Sequence, residues 1–123
     1  MTVYNNFEDL PVWKEAKDLA VQIYRITKEG SLAKDWSLSD QIKRATISIS
    51  SNIAEGFDRS SRKEFVKFLY IAKGSVSEVR SQLFICKELG YLDKNGSEDL
   101  LRKTTSLTRQ IGALISFLKK KNL

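Results

Sequence analysis

Residues 41–69 read QIKRATISISSNIAEGFDRSSRKEFVKFL, and their pattern decides the fold. Ile42, Ala45, Ile49 and Ile53, with Leu38 ahead of them, recur at steps of three and four, the spacing of one helix face. The spacing predicts a helix that ends near Glu55, with Gly56 free to take a left-handed C-terminal conformation. Ser61 followed three residues later by Glu64 is a capping box, which opens another helix. Phe65, Phe68, Leu69, Ala72, Val76, Val79, Leu83 and Cys86 carry its apolar stripe through about six turns, at 3.6 residues per turn. Gly90 reads as its stop.

Outward from this stretch the same period continues. Trp13, Ala16, Leu19, Ala20, Ile23 and Tyr24 predict a first helix from about Pro11 to Lys28, with Asp9 as N-cap and Gly30 beyond its end. Ser31–Trp36 reads as a short connection, and Ser37 with Asp40 as a weak cap for the second helix. After a turn at Asp93–Ser97, a fourth helix carries Leu100, Leu101, Leu107, Ile111, Leu114, Ile115 and Leu118 into Lys119–Lys121. No segment alternates with period two, so strands are not expected. Four amphipathic helices with short links predict an all-α fold, an antiparallel up-down-up-down four-helix bundle, in one domain over residues 1–123.

The composition excludes several chemistries. The chain of 123 residues has no histidine and one cysteine, Cys86. Ser–His and Cys–His nucleophile pairs and His- or thiolate-based zinc sites are therefore impossible. No phosphate-loop or dinucleotide-binding string occurs. No catalytic residue, metal ligand or cofactor is expected, and Glu55 beside Arg59 reads as an ion pair rather than a general base. No apolar run approaches the roughly 20 residues that span a bilayer, so no membrane association is expected. The start, MTVYNNFEDLPVW, lacks the pattern of a signal peptide, and with the lone thiol it leads to an expectation of a cytoplasmic protein.

The net charge is +6, and it is unevenly placed. Residues 1–62 hold nine Lys+Arg against nine Asp+Glu, whereas residues 63–123 hold twelve against six. A basic half suggests an anionic partner, RNA or DNA first. Arg44, Arg59, Lys63, Lys67, Lys73 and Arg80 are the candidate contacts, bound by charge and hence steeply salt-dependent. Arg44, Asn52 and Glu55, with Arg59 beyond the turn, form a candidate recognition cluster. Lys119–Lys121 complements the dipole of the last helix and adds phosphate affinity.

Two helices are apolar around more of their girth than one core needs. In the second, Ile47, Ser50 and Ala54 sit roughly 100° from the core side. In the third, Val66, Tyr70, Lys73, Ser77, Arg80 and Phe84 form a second stripe at alternating steps of four and three. Ile47, Ala54, Val66, Tyr70 and Phe84 are candidate subunit contacts of a homo-oligomer. The same stripe also reads as a nucleic-acid surface, with Tyr70 and Phe84 stacking bases, or as aromatics lying under long charged stems. A scaffold that recruits a protein partner without nucleic acid is the alternative function.

The chain also resembles a family. The elements are Phe7-x-x-Leu10-x-Val12-Trp13 with Ala16, Gln41-x-Lys43-Arg44-Ala45, and Ser48-Ile49-x-x-Asn52-Ile53-Ala54-Glu55-Gly56. Arg59-x-Ser61, Glu64-Phe65-x-x-Phe68-Leu69-x-Ile71-Ala72-x-Gly74-Ser75, Glu78 and Gly90-Tyr91 follow in order. Together they resemble the bacterial four-helix-bundle proteins encoded within intervening sequences of 23S rRNA genes. Lys43-Arg44 stands where many members carry two arginines. The resemblance implies a ring-like homo-oligomer, a pentamer. The chain is also similar to the accessory proteins of diversity-generating retroelements, basic pentameric bundles linked to nucleic acid and a reverse transcriptase.

Overall fold

Helices form every regular element of residues 4–120, the part of the chain that the computed structural model describes. A short 3₁₀ turn, Phe7–Asp9, precedes α1, Pro11–Ile26. A one-turn helix, α2, spans Gly30–Lys34. Three long helices follow: α3 at Trp36–Phe57, α4 at Arg62–Glu88 and α5 at Lys94–Lys120. The four longer helices share one core, in which Ala16, Leu19 and Ile23 meet Ile42, Ile49 and Ile53, Leu69, Val76 and Leu83, and Leu107 and Ile111. The chain is thus a helical bundle.

The core side of each helix agrees with the apolar spacing, with differences at the margins. Val12 is buried on α1, whereas Tyr24 is exposed and Trp13 half-buried against Phe7. Phe65 and Phe68 are half-buried, because they lie where α4 meets the end of α3 rather than deep in the core.

The helix boundaries depart further from the apolar spacing than the core faces do. Asp9 does not cap α1; Leu10 occupies that position without a side-chain bond, and Pro11 supplies a first residue with no N–H to satisfy. α1 also stops at Ile26, two residues short of Lys28. Most of the expected connection Ser31–Trp36 is helical: α2, which starts at Gly30, takes residues 31–34, and Trp36 opens α3. Asp35, not Ser37, caps α3: its Oδ1 accepts the N–H of Leu38 at 3.1 Å. α3 runs on to Phe57, and Gly56 is a buried helical residue rather than a left-handed terminus. Its lack of a side chain is needed for contact, since a Cβ there would sit 2.6 Å from the Cβ of Phe68. Asp93 caps α5 through a 2.6 Å bond from Gly96 N–H, so the expected turn at Asp93–Ser97 is already the first turn of a helix. The Ser61 cap stands as expected, accepting from Glu64 N–H at 3.1 Å. Gly90 takes φ +74° after α4 ends.

One end of the bundle is tied by polar bonds. Tyr91 Oη donates to Asp35 Oδ2 at 2.9 Å, and Ser39 Oγ donates to the Leu32 carbonyl at 2.6 Å. Cys86 is fully buried beside this tie. Burial, with the charge of Asp35 adding to it, pushes its thiol up to about 11 from an ordinary 9. The hydrogen bond to Asp35 pushes Tyr91 up as well, with burial second. An unfolded chain releases the thiol proton near 9 while the folded chain keeps it, so stability holds below pH 9 and falls as pH rises toward 11. A loss of on the order of 2 kcal/mol across that window is expected from Cys86. Urea denaturation at pH 8 and pH 11 checks it, with Cys86→Ala showing the smaller drop.

Thr46 is buried without a hydrogen-bond partner for Oγ1 among the described residues. A buried orphan hydroxyl costs roughly 1–3 kcal/mol. Thr46→Val keeps the shape and removes the orphan, so urea denaturation is expected to show a gain of about 1 kcal/mol.

Candidate nucleic-acid interface

The six candidate cations do not form one patch. Arg44 stands on the solvent side of α3 and pairs with Asp40 at 2.8 Å, a contact that pushes its pKa up. Arg59 pairs with Glu55 at 3.3 Å and stacks over the Phe68 ring at 4.9 Å. Lys67 lies 3.9 Å from Glu64 on the outer side of α4, and Lys63 is exposed at its first turn. The cluster expected from Arg44, Asn52 and Glu55 is not assembled. Asn52 Nδ2 donates instead to the Ser48 carbonyl at 2.7 Å and to Ser48 Oγ at 3.0 Å. Ser48 in turn accepts from Ser75 Oγ of α4 at 2.9 Å, so these residues join two helices.

Lys73 and Arg80 are different. They are seven residues apart, which at about 100° per residue puts them on the same side of α4, two turns apart. That side faces α5. Arg80 Nη1 donates to Thr105 Oγ1 at 2.7 Å, Thr104 Oγ1 at 3.3 Å and the Leu101 carbonyl at 3.4 Å. Its guanidinium lies 5.3 Å from the centre of the exposed Phe84 ring. One end of the seam is thus an arginine held by neutral acceptors with an aromatic plane beside it. At the other end Lys119 of α5 donates to Tyr70 Oη at 3.2 Å and sits 5.5 Å over its ring.

Among the described residues Lys73, Arg80, Arg109 and Lys119 have no carboxylate partner. Arg102, which borders the groove beside Phe84 and Thr105, is shared with Asp99 at 3.4 Å, and Glu98 is the acidic residue on that rim. Gly112 of α5 leaves open space, with no atom within 4 Å of a Cβ placed there. The seam therefore offers cations, two exposed aromatic faces and room. Cations can meet phosphate oxygens, and aromatic faces can stack bases.

Of the α5 half of this surface, only Lys119 is named by the sequence analysis. Arg102, Thr105, Arg109 and Gly112 follow steps of three and four beside the apolar stripe of α5, and that spacing was the available signal. The sequence gives Lys119 a dipole role and phosphate affinity but not its partner, Tyr70, 49 residues away in sequence. Lys121 lies outside the described residues. The candidate subunit contacts divide as well. Val66 belongs to the buried core and has little surface to give, Ala54 is half-buried, and Ile47 is exposed between α1 and α3. Tyr70 and Phe84 lie on the α4–α5 seam. Among the described residues there is no group of His, Cys, Asp and Glu fit to hold a metal, and no helix is long and apolar enough to cross a membrane.

Comparison with known proteins fits this architecture. A protein of unknown function from the S23 ribosomal protein family of Bacteroides thetaiotaomicron VPI-5482 superposes with a TM-score of 0.77 and 25% identity, over 85% of this chain and 97% of that one. Comparison with curated proteins returns no match. The family described as "23S rRNA-intervening sequence protein" matches residues 8–113, most of the chain. The chain belongs to the 23S rRNA-intervening sequence protein family.

Proposed function

We propose that the chain is a non-enzymatic, homo-oligomeric bundle, its long helices running antiparallel and up-down-up-down, that binds RNA or DNA in the cytoplasm. The observation that carries the binding is the α4–α5 seam, where Lys73, Arg80, Arg109 and Lys119 have no carboxylate partner among the described residues and two aromatic rings stand exposed among them. A half-buried guanidinium with neutral acceptors only is an incomplete site, because its charge is best met by an anion. The short link of four residues between α3 and α4 supports the alternating helix order. The family name makes 23S rRNA fragments the first RNA to try.

Binding of this kind is mainly electrostatic and weakly sequence-specific. Titration of labelled RNA and DNA at low salt, followed by anisotropy, is expected to show saturable binding of both. No affinity for either would overturn the reading in favour of a scaffold that recruits a protein. For assembly, light scattering is expected to give a mass several times the 14.0 kDa of one chain, with the pentamer as the size the family resemblance implies.

A further inference from the structure

Phe84 stands between two hollows. One, of about 280 Å³, is bounded by Leu101, Arg102 and Thr105 of α5, with Glu98 on its rim. The other, of about 450 Å³, lies along Ser77, Ser81 and Ile85 of α4. Arg80 borders both. The Phe84 ring is 46% exposed, and open space reaches it from two sides. Tyr70, 49% exposed, is the second ring of the seam. The two rings are 14 residues apart on α4, which is about 21 Å at 1.5 Å per residue, and within about 40° of one side of the helix. Lys73 and Arg80 lie between them on the same stripe.

Charge alone would favour a duplex, which carries one phosphate per about 1.7 Å of axis, twice the density of a single strand. The bases of a duplex, however, are paired and stacked inside, where only their edges can be reached from the grooves. Against a duplex the two rings would face sugar and phosphate, and their apolar surface would be buried beside charge. An unpaired strand can turn its base faces outward, and these stack on aromatic planes whatever the base. A cation already lies against each ring, within reach of the phosphate of a stacked base. Arg80 is 5.3 Å from the centre of the Phe84 ring, and Lys119 is 5.5 Å from that of Tyr70.

We infer that the α4–α5 seam takes an unpaired strand in preference to a duplex, with bases stacked on Phe84 and Tyr70 and the phosphates between them on Lys73 and Arg80. This rests on the reading of the seam as a nucleic-acid surface and names the form of nucleic acid that it selects. At the spacing of about 3.4 Å per stacked nucleotide, the distance between the rings spans about six nucleotides. Unpaired RNA and unpaired DNA share the chemistry that the seam meets, a base face beside a phosphate.

The test uses the full chain and four labelled probes: a strand of about 12 nucleotides and its blunt duplex, each as RNA and as DNA, compared by anisotropy at one salt concentration. At least one strand is expected to bind about tenfold or more tightly than its own duplex, the reverse of the order that charge alone sets. Comparing the two strands tells RNA from DNA. Phe84→Ala is expected to weaken strand binding by about 5- to 100-fold with the salt slope unchanged, and to leave duplex binding within about twofold. Phe84→Trp keeps an aromatic plane and is expected to hold the strand affinity. Phe84 is exposed, and circular dichroism checks that the helices of both variants remain. Duplexes that bind as tightly as their strands, or a Phe84→Ala loss equal for strand and duplex, would overturn the single-strand preference alone. No binding of any of the four probes would overturn the nucleic-acid reading with it.

Discussion

Gly56→Val is expected to lower stability by about 3 kcal/mol in urea denaturation. Gly56 is helical, so on propensity alone a side chain should help by up to about 1 kcal/mol. Packing reverses the sign. A Cβ would stand 2.6 Å from Phe68 Cβ and 3.0 Å from Phe65 Cδ1. The Phe68 Cβ is attached to the α4 backbone, so it cannot swing aside as a side-chain tip could. α3 and α4 must separate, and Ser48–Ser75 at 2.9 Å is one contact that feels the shift. Gly56→Ala is expected to cost less, about 1 kcal/mol, as the clash outweighs the helix gain. Gly112→Ala is the control: it meets nothing within 4 Å and is expected to stabilise by about 0.5–1 kcal/mol.

Neutralising the seam should have the largest effect on binding. Lys73→Gln with Arg80→Gln removes two phosphate contacts, and each contributes about 0.9 to the slope of log affinity against log salt for a duplex. The slope is expected to become shallower by about 1.8, and affinity at 50 mM salt to fall on the order of 100-fold. The fold should tolerate the change, because Thr104 and Thr105 also bond the Leu101 carbonyl, at 2.6 and 3.2 Å. Arg44→Gln is expected to change affinity by less than about threefold, since Asp40 already meets that charge and exposed pairs contribute little. In the sequence Arg44 and Arg80 were equal candidates; their partners make them different.

That contrast shows where the sequence is legible. Apolar spacing located the core face of each long helix, because burying Ile42, Ile49 and Ile53 is a periodic demand that the residue types must satisfy. Caps were less legible. Asp35, Ser37 and Asp40 can all accept a helix N–H, and Asp35 is selected by tertiary structure, through its second bond to Tyr91 56 residues away. Gly56 was misread for a similar reason. A glycine near a helix end signals a left-handed stop in the local chain, whereas here it answers a phenylalanine on another helix. The seam was half legible: α4 announced Lys73, Arg80, Tyr70 and Phe84, while their α5 partners, Thr105 and Lys119, are joined to them only by packing.

The central claim, that the cations on the α4–α5 seam with no carboxylate partner among the described residues bind nucleic acid, is tested most directly by the salt dependence of affinity for a labelled 23S rRNA fragment between 50 and 200 mM salt. Four contacts, from Lys73, Arg80, Arg109 and Lys119, predict a linear log–log plot with a slope of roughly −3 to −4, made shallower by the Lys73→Gln/Arg80→Gln change. No binding at 50 mM salt, or a slope that this double substitution leaves unchanged, would contradict it.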